Sequence, residues 1–163
     1  MVKPLSSFHA YSVGHQLFIP YSRHTPLKCD LLEWDTTGCF DTVNSCFVAS
    51  CPMIVEFHAN ILWERPAQDS GLTLLIIKNI LPPPDGSIGG EIAGDDSVAY
   101  QPSNQNVKYN QSNRITRKIK LDCGDRVWAV PCINGQAYIT NSIASPNNYN
   151  TVNYFEGIVL ELL

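Results

Sequence analysis

The sequence predicts an all-β protein, a sandwich or small barrel of roughly eight to ten strands. Three observations carry this. No window of helical length places apolar residues at i, i+3, i+4 and i+7 between capping residues. Met53 to Glu64 alternates with the period of a strand. Short apolar runs are separated along the chain by clusters of Pro, Gly, Asn and Asp, the residues that turns require.

Residues 1–26 read as an extended N-terminal arm and 27–163 as the folded domain. The arm contains Pro4 and Pro20, with Phe8, Tyr11, Phe18 and Tyr21 scattered at no sustained period, and one short strand near Phe8 to Val13. Apolar side chains in so irregular a segment need a surface to lie on. In the strand from Met53, the residues Met53, Val55, Phe57, Ala59, Ile61 and Trp63 form one face. Glu56, His58, Asn60 and Glu64 populate the other, interrupted by Ile54 and Leu62. Leu72 to Lys78 is nearly all apolar, as a buried strand is, and Pro82 to Gly86 then turns the chain. A weaker strand lies within Ile88 to Tyr100, and residues 101–113 read as a polar loop.

Arg114 to Leu121 alternates, with Ile115, Ile119 and Leu121 inward. Asp122 to Asp125 turns, and Arg126 to Ile133 reads as the second half of a hairpin. Pro131 donates no N–H, so it belongs on an edge, at a bulge or near a strand end. The last run, Asn153 to Leu163, is apolar on both sides. Tyr154, Ile158, Leu160 and Leu162 alternate against Phe155, Val159 and Leu163. A strand of a sandwich turns one face to the core, so a second apolar face calls for another partner, and a neighbouring subunit is the simplest one. Gly157 reads as a close-packing point, while Glu156 and Glu161 each need solvent or a partner.

At 163 residues and 18.1 kDa the chain is of one-domain size. Charged residues make up only 16%, which fits a surface partly hidden in contacts, and the net charge of −4 argues against generic nucleic-acid binding. The basic cluster Arg114, Arg117, Lys118 and Lys120 reads as a solvated strand face. The first twenty residues carry no secretory signal pattern, and no apolar run is long enough to cross a bilayer as a helix. With this size and no signal, the six cysteines read as free thiols of a protein made in a reducing compartment.

Several segments, in order, resemble the globular heads of the C1q and tumour-necrosis-factor superfamily. Trp34 to Asp41 is similar to that family's strand and turn ending in Gly-x-Phe-Asp, and Cys46 to Ala49 with Glu56-Phe57 to its next strand pair. Ile77-Lys78-Asn79 resembles its Lys-Asn segment, Leu121 to Val127 its Gly-Asp turn, and Tyr154 to Leu160 its closing Phe-x-Gly strand. The likeness spans residues 27–163. It departs from the family pattern at Met53, Val55 and Ile80, and no Gly-X-Y repeat precedes the head. The resemblance implies a C1q/TNF-like ten-strand jelly-roll sandwich that assembles as a homotrimer.

No residues assemble into a catalytic or metal-binding pattern. The histidines at 9, 15, 24 and 58 fall in separate segments, and no cysteine pair has zinc-site spacing. Asp95, Asp96, Asp122 and Asp125 read as turn formers before calcium ligands, and no glycine stretch has phosphate-loop spacing. The expectation is a protein without enzymatic activity, cofactor or metal. Trp63 is core by phase, whereas Trp128 either packs across the sandwich or enters a subunit interface. Candidate trimer-interface residues are Tyr154, Phe155, Ile158, Val159, Leu160, Leu162 and Trp128. The expected role is a phage capsid cement or decoration protein on the outer surface of the virion, made in the host cytoplasm. Its partners would be two further copies and the major capsid protein, with no nucleic acid or membrane, and Pro4, Phe8, Tyr11, Phe18 and Tyr21 would dock on the shell. The alternative is a receptor- or glycan-binding head of a tail fibre or secreted protein.

Overall fold

A computed structural model describes residues 6–12, 16–18, 25–64, 72–79, 97–102, 111–133, 137–139 and 153–163. Among them are twelve strands: β1 (Ser7–Tyr11), β2 (Gln16–Phe18), β3 (Leu31–Asp35), β4 (Phe40–Asp41), β5 (Cys46–Val48), β6 (Met53–Glu64), β7 (Leu72–Lys78), β8 (Ser97–Pro102), β9 (Gln111–Leu121), β10 (Arg126–Ile133), β11 (Ala137–Ile139) and β12 (Tyr154–Leu162). All pairings are antiparallel. One sheet holds β3-β1-β12-β6-β9 side by side, with β11 and β2 continuing from the end of β6, and the other runs β4-β5-β10-β7-β8. With β1, β5, β6, β7, β8, β9, β10 and β12 counted as eight main strands, the sheets are ordered 1-8-3-6 and 2-7-4-5. That is the wrapping of a jelly roll.

The core lies between the sheets and centres on five phenylalanines. Phe8 stacks on Phe40 and Phe47 at 4.9 and 5.4 Å between ring centroids, and meets Phe155 edge-on at 5.4 Å. Phe57 stacks on Phe155 at 5.4 Å. Offset and edge-to-face contacts of this kind add to the burial of the rings themselves. Gly157 is where the rings come closest to backbone: a Cβ there would sit 2.5 Å from Phe8 Cε1 and 3.1 Å from Phe57 Cδ1.

Three expectations are corrected. The segment containing Phe8 is no free arm, because β1 lies inside the first sheet between β12 and β3, and Phe8 is 1% exposed. Its alternation is only five residues long, too short to register as periodic, so its partners rather than its pattern make it a strand. The boundary at residue 26 therefore cuts through the domain. Secondly, β9 and β10 form no hairpin. β9 pairs with β6 from Met53↔Leu121 to Trp63↔Gln111, whereas β10 pairs with β5 and β7 in the other sheet. Turn chemistry specifies a reversal, and the long ladder to β6 decides which sheet each arm joins. Thirdly, residues 111–113, expected in a polar loop, are the first residues of β9.

The corner between the sheets unites two of the family-like segments. Lys78 Nζ lies 2.7 Å from Asp125 Oδ2, and Asn79 Nδ2 donates to Asp125 Oδ1 at 2.7 Å. Asn79 Oδ1 accepts the Arg126 N–H, and Asp125 Oδ2 the Asp122 N–H. Asn79 takes φ +60°, which asparagine tolerates better than most side chains, and Gly124 takes φ +88° in the turn. Burial would raise the Asp125 pKa, but these donors outweigh it and hold the carboxyl below its ordinary value. Both oxygens are thus engaged as turn and corner acceptors. Pro131 sits where the ladder allows. Ala129 accepts a hydrogen bond from Leu27 on the side of β10 away from β7, so the ring nitrogen two residues on faces the same side, beyond the β5 pairing that ends at Val127.

Candidate assembly interface

The outer face of the first sheet carries the candidate site. Strand phase puts Phe155, Gly157 and Val159 of β12 toward the core, with Phe155 0% and Val159 8% exposed. Tyr154, Glu156 and Ile158 point outward and are half-buried. Phe155 and Val159 are therefore core residues of a single subunit. Beyond Ile158 a bulge between Val159 and Glu161 shifts the register, so Glu161 falls opposite Ile54 on the outer face and Leu162 opposite Met53 on the inner one. A one-residue slip inverts every following side chain, so Leu162 leaves the face of Tyr154 and Ile158, and it stays 61% exposed at the strand's end. Leu160 and Leu162 end beside a cleft of about 290 Å³ at the open end of the sandwich, together with Cys39, Cys51 and Met53.

Across the outer face runs a register-matched row, Thr116↔His58↔Glu156↔His9↔Trp34, one residue from each of β9, β6, β12, β1 and β3. His9 is 6% exposed, stacked between Trp34 and Tyr154 at 4.9 and 5.2 Å between ring centroids. Its Nδ1 lies 2.9 Å from Glu156 Oε2, and its Nε2 is 3.8 Å from Glu33. The hydrogen bond with His9 holds the Glu156 carboxyl below its ordinary range against the opposing effect of burial, with help from the charges of His9, His58 and Arg114. Glu156 has thus found the partner its position demanded. His58 lies 3.2 Å from Glu56 and bonds Thr116 Oγ1 at 2.9 Å, and Lys118 reaches Glu56 at 3.4 Å. Burial raises the Tyr154 phenol pKa, with Arg114 opposing. Trp34 is 42% exposed although its indole N–H is held by Ser7 Oγ, and Leu31 and Leu32 beside it are 42% and 38% exposed.

This arrangement offers aromatic and apolar surface around a hydrogen-bonded polar centre, chemistry suited to burying a second surface. His9 and Glu33 were not singled out as site residues from sequence, whereas Trp34, like Trp128, reads there as either core or a contact anchor. The available signal was the alternation of Ser7, His9 and Tyr11 against Phe8 and Ala10. Trp128 is brought elsewhere, into a cluster with Cys46, Leu75, Ile77 and Val130 in the second sheet, its indole N–H donating to the Asn44 carbonyl at 3.2 Å. Of the supposed docking arm, Phe8 is core and Tyr11 half-buried beside His9. Phe18 contributes its backbone to β2, and Pro4 and Tyr21 lie outside the described residues. Among the cysteines, Cys29, Cys39 and Cys46 are buried free thiols, Cys51 is half-buried and Cys123 exposed.

No family model and no curated protein matches the sequence. Solved structures do match in fold. The globular domain of the zebrafish complement 1qA protein aligns with a TM-score of 0.59 at 13% identity, over 98% of this chain and 100% of that one. Eiger TNF from S. frugiperda aligns at 0.62 and 11%, over 99% and 96%. Murine APRIL aligns at 0.61 and 12%, over 96% and 98%. At such identities the likeness concerns the backbone alone, and with the strand order above it makes this chain a C1q/TNF-like jelly roll.

Proposed function

We propose that the chain is a non-enzymatic structural protein that works as a homotrimer, its subunits packed through the outer face of the β3-β1-β12-β6-β9 sheet. The observation that carries this is the Trp34-His9-Tyr154 stack, flanked by exposed Leu31, on a sheet face that none of the described residues covers. Light scattering of the purified chain should give three times the 18.1 kDa monomer mass. A stable monomer at micromolar concentration would overturn the reading.

Within it, the role we favour is a cement protein, binding the major capsid protein on the outer surface of a phage shell and stabilising it by burial. A low charge content and a rigid trimeric sandwich suit a part that works by contact. With Phe8 in the core, shell contacts fall to the remaining surface and to residues 1–5. Mass spectrometry of purified particles should find the chain near the stoichiometry of the shell protein, and its absence would end the proposal. The likeness in fold to the complement 1qA and TNF heads favours a second reading, a receptor- or glycan-binding head. Binding to a glycan array or cell surface, without decoration of shells, would select it.

A further inference from the structure

The charges of the first sheet are sorted by strand. All its Lys and Arg residues, Arg114, Arg117, Lys118 and Lys120, lie on β9. All its acids, Glu33, Asp35, Glu56, Glu64, Glu156 and Glu161, lie on β3, β6 and β12. Arg114, Lys118 and Lys120 alternate with the inward Asn113, Ile115 and Ile119, so they share the outer face with the aromatic row. At the other edge, β3 presents Glu33, 45% exposed at its side chain, between Leu31 and Trp34.

Within one subunit these edges hardly neutralise each other. β9 and β3 stand four inter-strand spacings apart, about 19 Å, roughly two screening lengths at 0.1 M salt. Among the described residues, the only Lys or Arg ion pair on this face is Lys118 with Glu56 at 3.4 Å, while Arg114 and Lys120 form none. Among the described residues, Glu33 forms its one ion-pair contact with the His9 imidazole, at 3.8 Å. A net charge of −4, with only four of the eleven Lys and Arg residues on this sheet, makes a polyanion a poor fit. A second copy of this chain matches in both charge and apolar character.

We infer that the subunits meet with the β9 edge of one copy, bearing Arg114, Lys118 and Lys120, against the Glu33 edge of the next. The inference rests on the trimer reading and adds to it which edge meets which. A face positive at one side and negative at the other joins head to tail, and a head-to-tail contact closes into a ring when its rotation allows. The apolar surface of β3 and the Tyr154-His9-Trp34 stack supply the buried area, and the charges set the direction and exclude like-edge contacts.

The test uses the full chain, followed by light scattering and sedimentation over a concentration series, with near-ultraviolet circular dichroism to confirm folding. One variant carries Lys118→Glu with Lys120→Glu, a second carries Glu33→Lys, and a third combines all three. Each reversal alone should raise the concentration for half-assembly by about thirtyfold, taking roughly tenfold per interface over three interfaces. The combined variant should recover most of that loss, and assembly of the unaltered chain should weaken as salt rises from 0.05 to about 0.5 M. A trimer indifferent to salt and to both reversals overturns the edge pairing and leaves the trimer reading standing. A particle of twice the chain mass that responds to the reversals and is rescued by their combination supports the pairing and overturns the trimer. A monomeric unaltered chain overturns both. Should a variant fail to fold, the salt series on the unaltered chain decides alone.

Discussion

Gly157 is where the phenylalanine core packs most tightly against backbone. Replacing it by alanine puts a methyl carbon 2.5 Å from Phe8 Cε1 and 3.1 Å from Phe57 Cδ1, where ordinary carbon contacts lie at about 3.5–4.0 Å. The Phe8 ring would have to retreat by about 1 Å. It has little room, with Phe40 at 4.9 Å and both Phe47 and Phe155 at 5.4 Å between centroids. Overpacking of this kind costs about 1–3 kcal/mol, and the better strand propensity of alanine returns about 0.5–1 kcal/mol. The midpoints leave a net loss of about 1 kcal/mol, and at most about 2.5 kcal/mol, which for a chain of this length lowers Tm by about 2–4 °C and at most about 10 °C. The assay is thermal and urea unfolding at one fixed protomer concentration, since assembly makes Tm concentration-dependent. In the Gly157→Ala background, Phe8→Leu should cost less than it does alone, because the smaller side chain makes room for the methyl group. Stability of Gly157→Ala equal to or above that of the parent would refute the close-packing account, and strictly additive effects would refute the role of Phe8.

Phe8→Ala should cost about 3–5 kcal/mol as a core truncation, whereas a docking arm would leave unfolding of the isolated protein unchanged. Because the Glu156 and Asp125 pKa values are depressed in the fold, their stabilisation is complete above the unfolded carboxyl pKa and is lost as pH falls through the folded values. Stability measured from pH 6 to pH 3 should therefore decline, and Glu156→Gln should flatten part of that decline; an unchanged slope would contradict the His9–Glu156 bond. Burial pushes the Cys46 thiol up to about 11 and raises Cys29 further, so brief alkylation at pH 8 should mark Cys123 and spare both. Peptide mass spectrometry reads the result, and rapid modification of Cys29 in the folded protein would count against its burial.

The strands legible in the sequence are those whose apolar period is long. The alternation from Met53 to Trp63 corresponds to β6 with its core face correctly assigned, and the apolar run from Leu72 corresponds to β7 in the interior of the second sheet. What stayed hidden was local information too short or too ambiguous to read. β1 has five residues and β4 two, and the bulge after Val159 is invisible to a period of two. The candidate site was half legible. Tyr154 and Ile158 were named, but Phe155 and Val159 could not be separated from them while both faces of β12 read as apolar.

By itself the sequence determined an all-β chain, the inward face of β6, the tight packing at Gly157 and the turn at Asp122–Asp125, because each follows from period, side-chain size or backbone freedom within a few residues. Only the tertiary structure decided that β1 lies between β12 and β3, that the Asp122 turn crosses between sheets, and that His9, Glu156, His58 and Trp34 form one row. Those are contacts such as that of His9 with Glu156, 147 positions apart, and their energy comes from pairing and burial that no local pattern contains.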